Sequence, residues 1–548
     1  MSRSARFLGS AKLIAACTLA SRITGLARDV IINRAFGQNW VQDAFQYGFL
    51  IPNLFRRLFG EGALSAIFVP VFVETLDRHD RDRAWVLLGR VTGLMVLVLV
   101  VLTVLLEAGV LLVGHFYPAG PMRALQVELT AIMLPFMIGI CVLALFSSIL
   151  NCLQHFAAPA LMPIVLNVML VVGVLVVGPA LGDALEDQVV GLGYSVLAAG
   201  AIQLVIIIWV MKRRGVRCRP SLSRGDPDVR RMVRLFVPVL LGQGVLLFSV
   251  FFDAQICTFL TRGPQSAESF SIFGRDVAYP LTEGALSAIT NAQRLYQFPL
   301  GVLAISLATA VFPRLSLYAS RRDYPNLRQT LGQSVRVALF EGVPCAILLV
   351  VLAHPIVTLL FEYGRYDAAD SVRAAHVLRW YAVGVPAFCC QHLLLRAFYS
   401  LKDTKTPMWI SVALVAVNLG LSLALVFQPA IREAAFGIST SVTATIHCVV
   451  SVWLLRRRMQ GYIGGRAIAL SAVRILIAGA GVWFVADALR TWTAAVDLAA
   501  WGRIGGRAAR VFIPMAGAGA VFVIATMVLR SGELGWLLGR SRPAKGPS

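Results

Sequence analysis

Residues 86–113 read VLLGRVTGLMVLVLVVLTVLLEAGVLLV. Arg90 near one end and Glu107 near the other are the only charges in the run. As a helix rising roughly 1.5 Å per residue, the run spans about 40 Å, enough to cross a hydrocarbon core of about 30 Å. A helix satisfies its own backbone in lipid, and the run lacks the short apolar–polar alternation of a barrel strand. The rest of the chain repeats this pattern. Of its 548 residues, 58% are hydrophobic and 14% charged, with a mean hydropathy of +0.76. Soluble domains carry roughly 25% charged residues. Spans are predicted near 8–36, 43–75, 86–113, 124–153, 159–178, 190–211, 231–260, 285–313, 327–353, 375–401, 407–428, 434–455, 467–489 and 508–529. The fold class is an all-α integral membrane protein crossing about fourteen times. The first two spans differ from the others, being charged, and are expected to be broken or bent.

The net charge of +22 could suggest nucleic-acid binding, but its distribution argues against that. Lys and Arg concentrate in short loops between apolar runs, as the positive-inside rule places them. Segment 212–234 holds Lys212, Arg213, Arg214, Arg217, Arg219, Arg224, Arg230, Arg231 and Arg234, which makes it cytoplasmic. Counting outward from it, the N-terminus (Arg3, Arg6, Lys12), loops 76–85, 314–326, 402–406 and 456–466, and the tail after 530 share that side. All are basic. The alternate loops 37–42 and 179–189 contain no Lys or Arg. Arg490, Arg503, Arg507 and Arg510 run against the rule by falling on the outer side. Nine cysteines without a C-x-x-C pair, mostly inside apolar runs, read as small buried side chains. Ile14-Ala15-Ala16-Cys17 resembles a lipoprotein cleavage box, but Lys12 interrupts the apolar region such a signal needs, so no cleavage is expected.

An internal repeat is visible. Ile67-Phe68-Val69-Pro70 closes the second span and Ala310-Val311-Phe312-Pro313 the eighth. Segment 149–159 joins spans four and five as 397–407 joins spans ten and eleven, each ending in proline. Two six-span halves in one orientation give this pattern. The expected organisation is an N-lobe at 1–212, a basic cytoplasmic linker at 213–234, a C-lobe at 235–458, and two further spans with a tail at 459–548.

A charge at mid-bilayer costs roughly 2.5–3.5 kcal/mol on insertion scales, so one that persists usually faces a cavity or a partner. The first span carries Ser21-Arg22-Ile23-Thr24-Gly25-Leu26-Ala27-Arg28-Asp29. The second carries Pro52-Asn53-Leu54-Phe55-Arg56-Arg57-Leu58-Phe59-Gly60-Glu61-Gly62, and the eighth carries Gln293-Arg294. Arg22 and Arg28 lie about 9 Å apart along a helix and about 120° around it, sharing a face only if the helix bends at Gly25. Snorkelling, or pairing with Asp29, Asp43 and Glu61, accounts for Arg57 and Arg34. For Arg22, Arg28, Arg56 and Arg294 together, a cationic cavity for an anionic, phosphate-bearing substrate is the stronger reading, because guanidinium forks fit phosphate. No Walker A motif, paired catalytic carboxylates or nucleophile–base set is present, which argues against an ATPase or another enzyme.

These segments, with Asp43-Ala44-Phe45, Leu360-Phe361-Glu362-Tyr363-Gly364, Ala397-Phe398-Tyr399 and Asp403-Thr404-Lys405-Thr406-Pro407, resemble the MurJ (MviN) family of lipid II flippases. The resemblance implies the multidrug/oligosaccharidyl-lipid/polysaccharide exporter superfamily, with two six-helix lobes and two C-terminal helices that form a groove for the lipid tail. It implies a flippase, not an enzyme, in the bacterial inner membrane with both termini cytoplasmic. Its cargo is lipid II, the undecaprenyl-pyrophosphate-linked disaccharide-pentapeptide, moved from the cytoplasmic to the periplasmic leaflet for cell wall synthesis. The family's cavity arginines fall on Arg22, Arg28, Arg56 and Arg294, and its essential aspartate on Asp43. Gln293 and Gln297 stand where the family often has acids. A sodium site as in some members would draw on Asp253, Asn418 and Thr440, with Ser422 in place of a carboxylate. No cofactor is expected. Membrane potential, sodium or protons are the candidate energy sources, and membrane lipids and cell-wall synthesis machinery the further partners. Alternating access by two lobes is the expected mechanism. The rivals are a flippase for another polyprenyl-pyrophosphate oligosaccharide and a non-transporting scaffold for cell-wall synthesis. Residues 264–284 read as an insertion on the outer side.

Overall fold

The computed structural model describes residues 3–60, 63–78, 81–116, 120–222, 227–272 and 274–537. Of these, 3–15, 60, 63–67, 78, 227–228, 235–247, 272, 499 and 537 are described by backbone alone. Glu61, Gly62, Arg224, the tail beyond 537 and the side chains of Arg3, Arg6 and Lys12 lie outside the described residues. The chain divides into two compact units, residues 1–287 with 363–366, and residues 288–362 with 367–548.

The first unit runs α1 (Arg3–Phe36), α2 (Trp40–Gly60), α3 (Ala63–Arg78), α4 (Arg81–Phe116), α5 (Gly120–Met133), α6 (Phe136–Cys152), α7 (Ala157–Val172), α8 (Gly178–Leu181), α9 (Leu185–Arg213) and α10 (Pro227–Phe259). A hairpin of β1 (Ser269–Ile272) and β2 (Arg275–Ala278) follows. This hairpin fills the 264–284 segment, its register pairing Phe270 with Val277. Within the unit α1 packs on α7, α2 on α5 and α6, α7 on α9, and α10 on α2 and α3. The core gathers Phe68, Phe72, Leu129, Met133 and Phe136. The opening helix of the next unit is α11 (Ala285–Ser320), whose first turn still belongs to the first unit.

The second unit continues with α12 (Tyr324–Val351), α13 (Ala353–Leu360), α14 (Ala368–Val383), α15 (Val385–Ser400), α16 (Lys405–Val426), α17 (Ala434–Arg458), α18 (Gly465–Ala495), α19 (Gly502–Val528) and α20 (Gly532–Leu537). The terminal helices α18 and α19 pack on each other and α18 packs on α12, through Phe340, Ile475, Val482, Ala518 and Phe522.

Ten helical stretches among the described residues are long and apolar enough to cross a membrane, and each overlaps a span read from the sequence. The other four expected spans are also helical: α1, α2 with α3, α10, and α14 with α15. On α4 the outward side chains are apolar, with Val104 and Leu105 about 60% exposed, as lipid rather than water requires. The first span corrects an expectation: α1 is a single unbroken helix through Gly25, and a Cβ at Gly25 would meet Asn167 Nδ2 at 3.4 Å. Gly25 thus serves as a packing surface for α7 and not as a break. The helix also continues past Cys17.

The repeat seen in sequence recurs in backbone detail. At the end of α6, Gln154 takes φ +58° while His155 N donates to Leu150 O (2.8 Å). At the end of α15, Lys402 takes φ +58° while Asp403 N donates to Phe398 O (3.0 Å). The ends of α9 and α17 match likewise, with Val216 N on Met211 O and Gly461 N on Arg456 O. Each is a Schellman-type cap, which turns the chain by satisfying carbonyls that the helix leaves open.

Candidate functional site

Three of the four sequence-selected arginines lie in the first unit and Arg294 lies on α11 in the second. Buried guanidinium groups at membrane depth require acceptors, and Arg28 has them. It donates from Nε (3.0 Å) and Nη2 (2.6 Å) to Asp29 Oδ1, and from Nη1 to Asn167 Oδ1 (2.9 Å). Asn167, on α7, in turn donates from Nδ2 to the Ser21 carbonyl and to Thr24 Oγ1, both at 3.2 Å. Arg28 is therefore oriented by one carboxylate and one amide across the α1–α7 contact. Sequence reading missed Asn167, because a single Asn in the apolar run 157–172 carries no spacing signal. Since α1 is unbroken, Arg22 and Arg28 stay about 120° apart around it. Arg56 is half-buried and donates from Nε to Asn53 Oδ1 one turn earlier (3.1 Å).

Asp43 occupies a different setting. It is fully buried near the start of α2, and both of its oxygens accept hydrogen bonds. Oδ2 takes the Gly284 N–H (2.8 Å), and Oδ1 takes the Ser287 N–H (2.8 Å) and Ser287 Oγ–H (2.6 Å). The carboxylate thus caps the N-terminus of α11, where unpaired N–H groups and the helix dipole favour a negative charge. Gly284 adopts φ +81°, and a Cβ there would meet Gln38 O at 2.5 Å, so only glycine lets the chain approach this closely. Nearby, Gln42 Nε2 donates to Asn33 Oδ1 (3.1 Å), and Gln38 Nε2 donates to the hydroxyl of the buried Tyr366. The ends of α1 and α2 in the predicted outer region are therefore tied to the start of α11 and to segment 363–366.

Gln293 lies on α11, one residue before Arg294. Its Nε2 donates to Tyr381 Oη (3.0 Å), and Tyr296 stacks on Tyr381 (5.0 Å) and Phe388 (5.3 Å). Gln293 and Tyr296 so fix the turn around Arg294 to α14 and α15.

Of the sodium candidates, Asp253 is buried on α10 in the first unit, while Asn418 on α16 and Thr440 on α17 belong to the second. Thr440 Oγ1 donates to Phe436 O (2.7 Å), which leaves its lone pairs available to a cation. Ser422 shares a 2.7 Å hydrogen bond with Ser439, so this position offers neutral oxygen only. Among the described residues no group of three or more His, Cys, Asp or Glu is placed to hold a metal ion.

Comparison with known proteins agrees over most of the chain. A family model described as "Lipid II flippase MurJ" matches residues 32–499, a range that begins after Arg22 and Arg28. A probable lipid II flippase of Bdellovibrio bacteriovorus is 33% identical over 484 residues, covering 87% of each chain. A lipid II flippase of Burkholderia cenocepacia is 30% identical over 450 residues, covering 80% of this chain and 82% of the other. Among solved structures, a lipid II flippase in an inward closed conformation superposes with a TM-score of 0.72 at 20% identity, covering 94% of this chain and 98% of the other. An inward-facing multidrug resistance transporter of the MATE family, described as belonging to the MOP superfamily, reaches 0.65 at 13% identity, covering 82% of this chain and 98% of that one.

Proposed function

The chain belongs to the lipid II flippase MurJ family, and from that premise we propose how it moves its cargo. It is a multi-pass membrane transporter and not an enzyme. Its substrate is lipid II, and its role lies in peptidoglycan synthesis. We place it in the bacterial inner membrane with both termini cytoplasmic, a placement supported by the basic 212–234 segment and the acidic 179–189 loop. Membrane lipids surround it, and cell-wall synthesis enzymes are proposed as further partners.

Arg22, Arg28, Arg56 and Arg294 bind the pyrophosphate. Asp29 and Asn167 already hold Arg28 as an outstretched fork, and an incoming phosphate competes with Asp29 for the same donors. The pre-set fork lowers the ordering cost of binding. Asp43 acts on the opposite step. Its three hydrogen bonds to Gly284 and Ser287 support a role in holding the outer side shut while the head group loads from the cytoplasm. Releasing α11 then lets the lobes, 1–212 and 235–458, alternate their access. Sodium, if it couples, acts through Asp253, Asn418 and Thr440.

The observation that carries this reading is the oriented Arg28 fork within a chain of this family. It is tested by lipid II accessibility at the outer leaflet in cells depleted of their native flippase. Arg28→Ala and Arg56→Ala at normal expression should each abolish rescue, and full rescue by both would overturn the assignment. A non-transporting scaffold would tolerate both changes.

A further inference from the structure

Arg507 runs against the positive-inside rule, and its surroundings explain why it is there. It sits in the second turn of α19 and donates from Nη1 to the carbonyls of Glu362 (2.6 Å) and Thr358 (3.3 Å), and from Nη2 to Glu362 Oε1 (2.7 Å). The other carboxylate oxygen, Oε2, accepts from Ser371 Oγ (2.9 Å) and Thr358 Oγ1 (3.3 Å). The Arg507 and Glu362 side chains are 13% and 19% exposed. An exposed ion pair contributes little, but a largely desolvated one bonded from α13, α14 and α19 at once fixes geometry.

Glu362 is the last residue before Tyr363–Tyr366, the four residues that leave the second unit and belong to the first. Arg365 N donates to Arg34 O (3.0 Å), and Tyr366 accepts from Gln38. Gly364 has φ +65°, and a Cβ there would collide with the Arg34 carbonyl oxygen. Beyond this segment Asp367 and Asp370 form a capping box that opens α14. The four residues make a strap, seated on the end of α1, with one root held by Arg507 and the other by a helix cap.

We propose that Arg507 and Glu362 are a positioning pair for the outer gate: their bond sets where the strap leaves the second unit, and so how firmly it seats on α1. The proposal rests on the gating role read above for the ends of α1 and α2. Without the pair, Glu362 loses its charged partner, the strap root slackens, and the Arg365–Arg34 bond opens more often.

Amide exchange of the full-length protein in lipid nanodiscs reads this directly. Arg507→Gln should speed exchange in the peptide covering 361–367 by about tenfold, a local-opening effect, and leave the α14 peptide 372–383 unchanged. Lipid II flipping should fall in parallel. Exchanging the charges (R507E with E362R) should restore protection only in part, because a carboxylate at 507 cannot donate to the 358 and 362 carbonyls, and Arg507→Lys, which keeps charge without the fork, should retain part of it. Wild-type exchange in the strap of R507Q, with loosening confined to α19, would overturn the proposal and leave a helix anchor only. Should R507Q fail to accumulate, Glu362→Gln supplies the same comparison. Failure of the gating reading itself would look different: Asp43→Asn would then flip lipid II normally whatever the strap does.

Discussion

Asp43 is fully buried and accepts from Gly284 N and from Ser287 N and Oγ, so replacing one oxygen with an amide turns an acceptor into a donor facing N–H groups. A hydrogen bond to a charged group contributes about 1.5–3 kcal/mol, and Asp43→Asn forfeits at least one while leaving a neighbouring N–H unpaired. The expected outcome is normal membrane insertion, faster amide exchange at 284–287, and flipping reduced at least about tenfold, since roughly 1.4 kcal/mol in a required state is a factor of ten. Vesicle-based flipping assays beside exchange mass spectrometry check both halves. The same logic explains why Arg28 could be selected from sequence while its partner Asn167 could not. A charge inside an apolar run stands out by its cost, but an amide in the next helix does not.

Individual elements are held by features that sequence marks only faintly. Segment 219–221 lies on α4 at Gly89 and Gly93, where any Cβ would collide with the Arg219 and Ser221 carbonyl oxygens, and Ser221 N donates to Gly89 O (3.1 Å). Burial raises the pKa of the adjacent Cys218 thiol, and its contact with Thr92 only partly offsets this. Gly93→Val should expel the segment, lower the thiol toward its ordinary range, and speed alkylation of Cys218 severalfold as read by peptide mass mapping. Helix α20 docks through Glu533, which is buried and accepts from Arg336 and Ser471. Burial pushes its carboxyl upward, but hydrogen bonds from Ser531 and Ser471, its own backbone and the Arg336 charge outweigh this and hold it below the usual carboxylate range. Its folded pKa is below the unfolded value of about 4.3, so docking stability is complete above that value and is lost as pH falls through the folded one. Exchange of the 531–537 peptide should therefore be slow at neutral pH and rise below about pH 4. Glu533→Gln should exchange quickly at every pH.

For the whole molecule the open question is energy. Moving one charge through 100 mV is worth about 2.3 kcal/mol, enough to bias a two-state carrier nearly fifty-fold. With cationic Arg22, Arg28, Arg56 and Arg294 as the pyrophosphate site, the outside-positive potential should accelerate flipping in proteoliposomes carrying labelled lipid II. Sodium alone, varied at zero potential, should change the rate only if Asp253, Asn418 and Thr440 bind it, and Asn418→Ala would then remove that dependence.

Read alone, the sequence determined the membrane class, the helical spans and the repeat, and it singled out four arginines as the proposed site. Apolar runs and misplaced charges are local signals, legible residue by residue without knowing what packs against them. The repeat's prolines even marked where matching helix caps form at Gln154 and Lys402. Tertiary structure alone decided what each charge faces. It showed α1 unbroken at Gly25, Asp43 capping a helix through Gly284, 241 residues away in sequence, and Arg507 reaching Glu362, since hydrogen bonds between distant segments leave no periodicity to read. It also gave Arg507, one of the four arginines that run against the topology rule, a largely buried carboxylate partner instead of a loop in water.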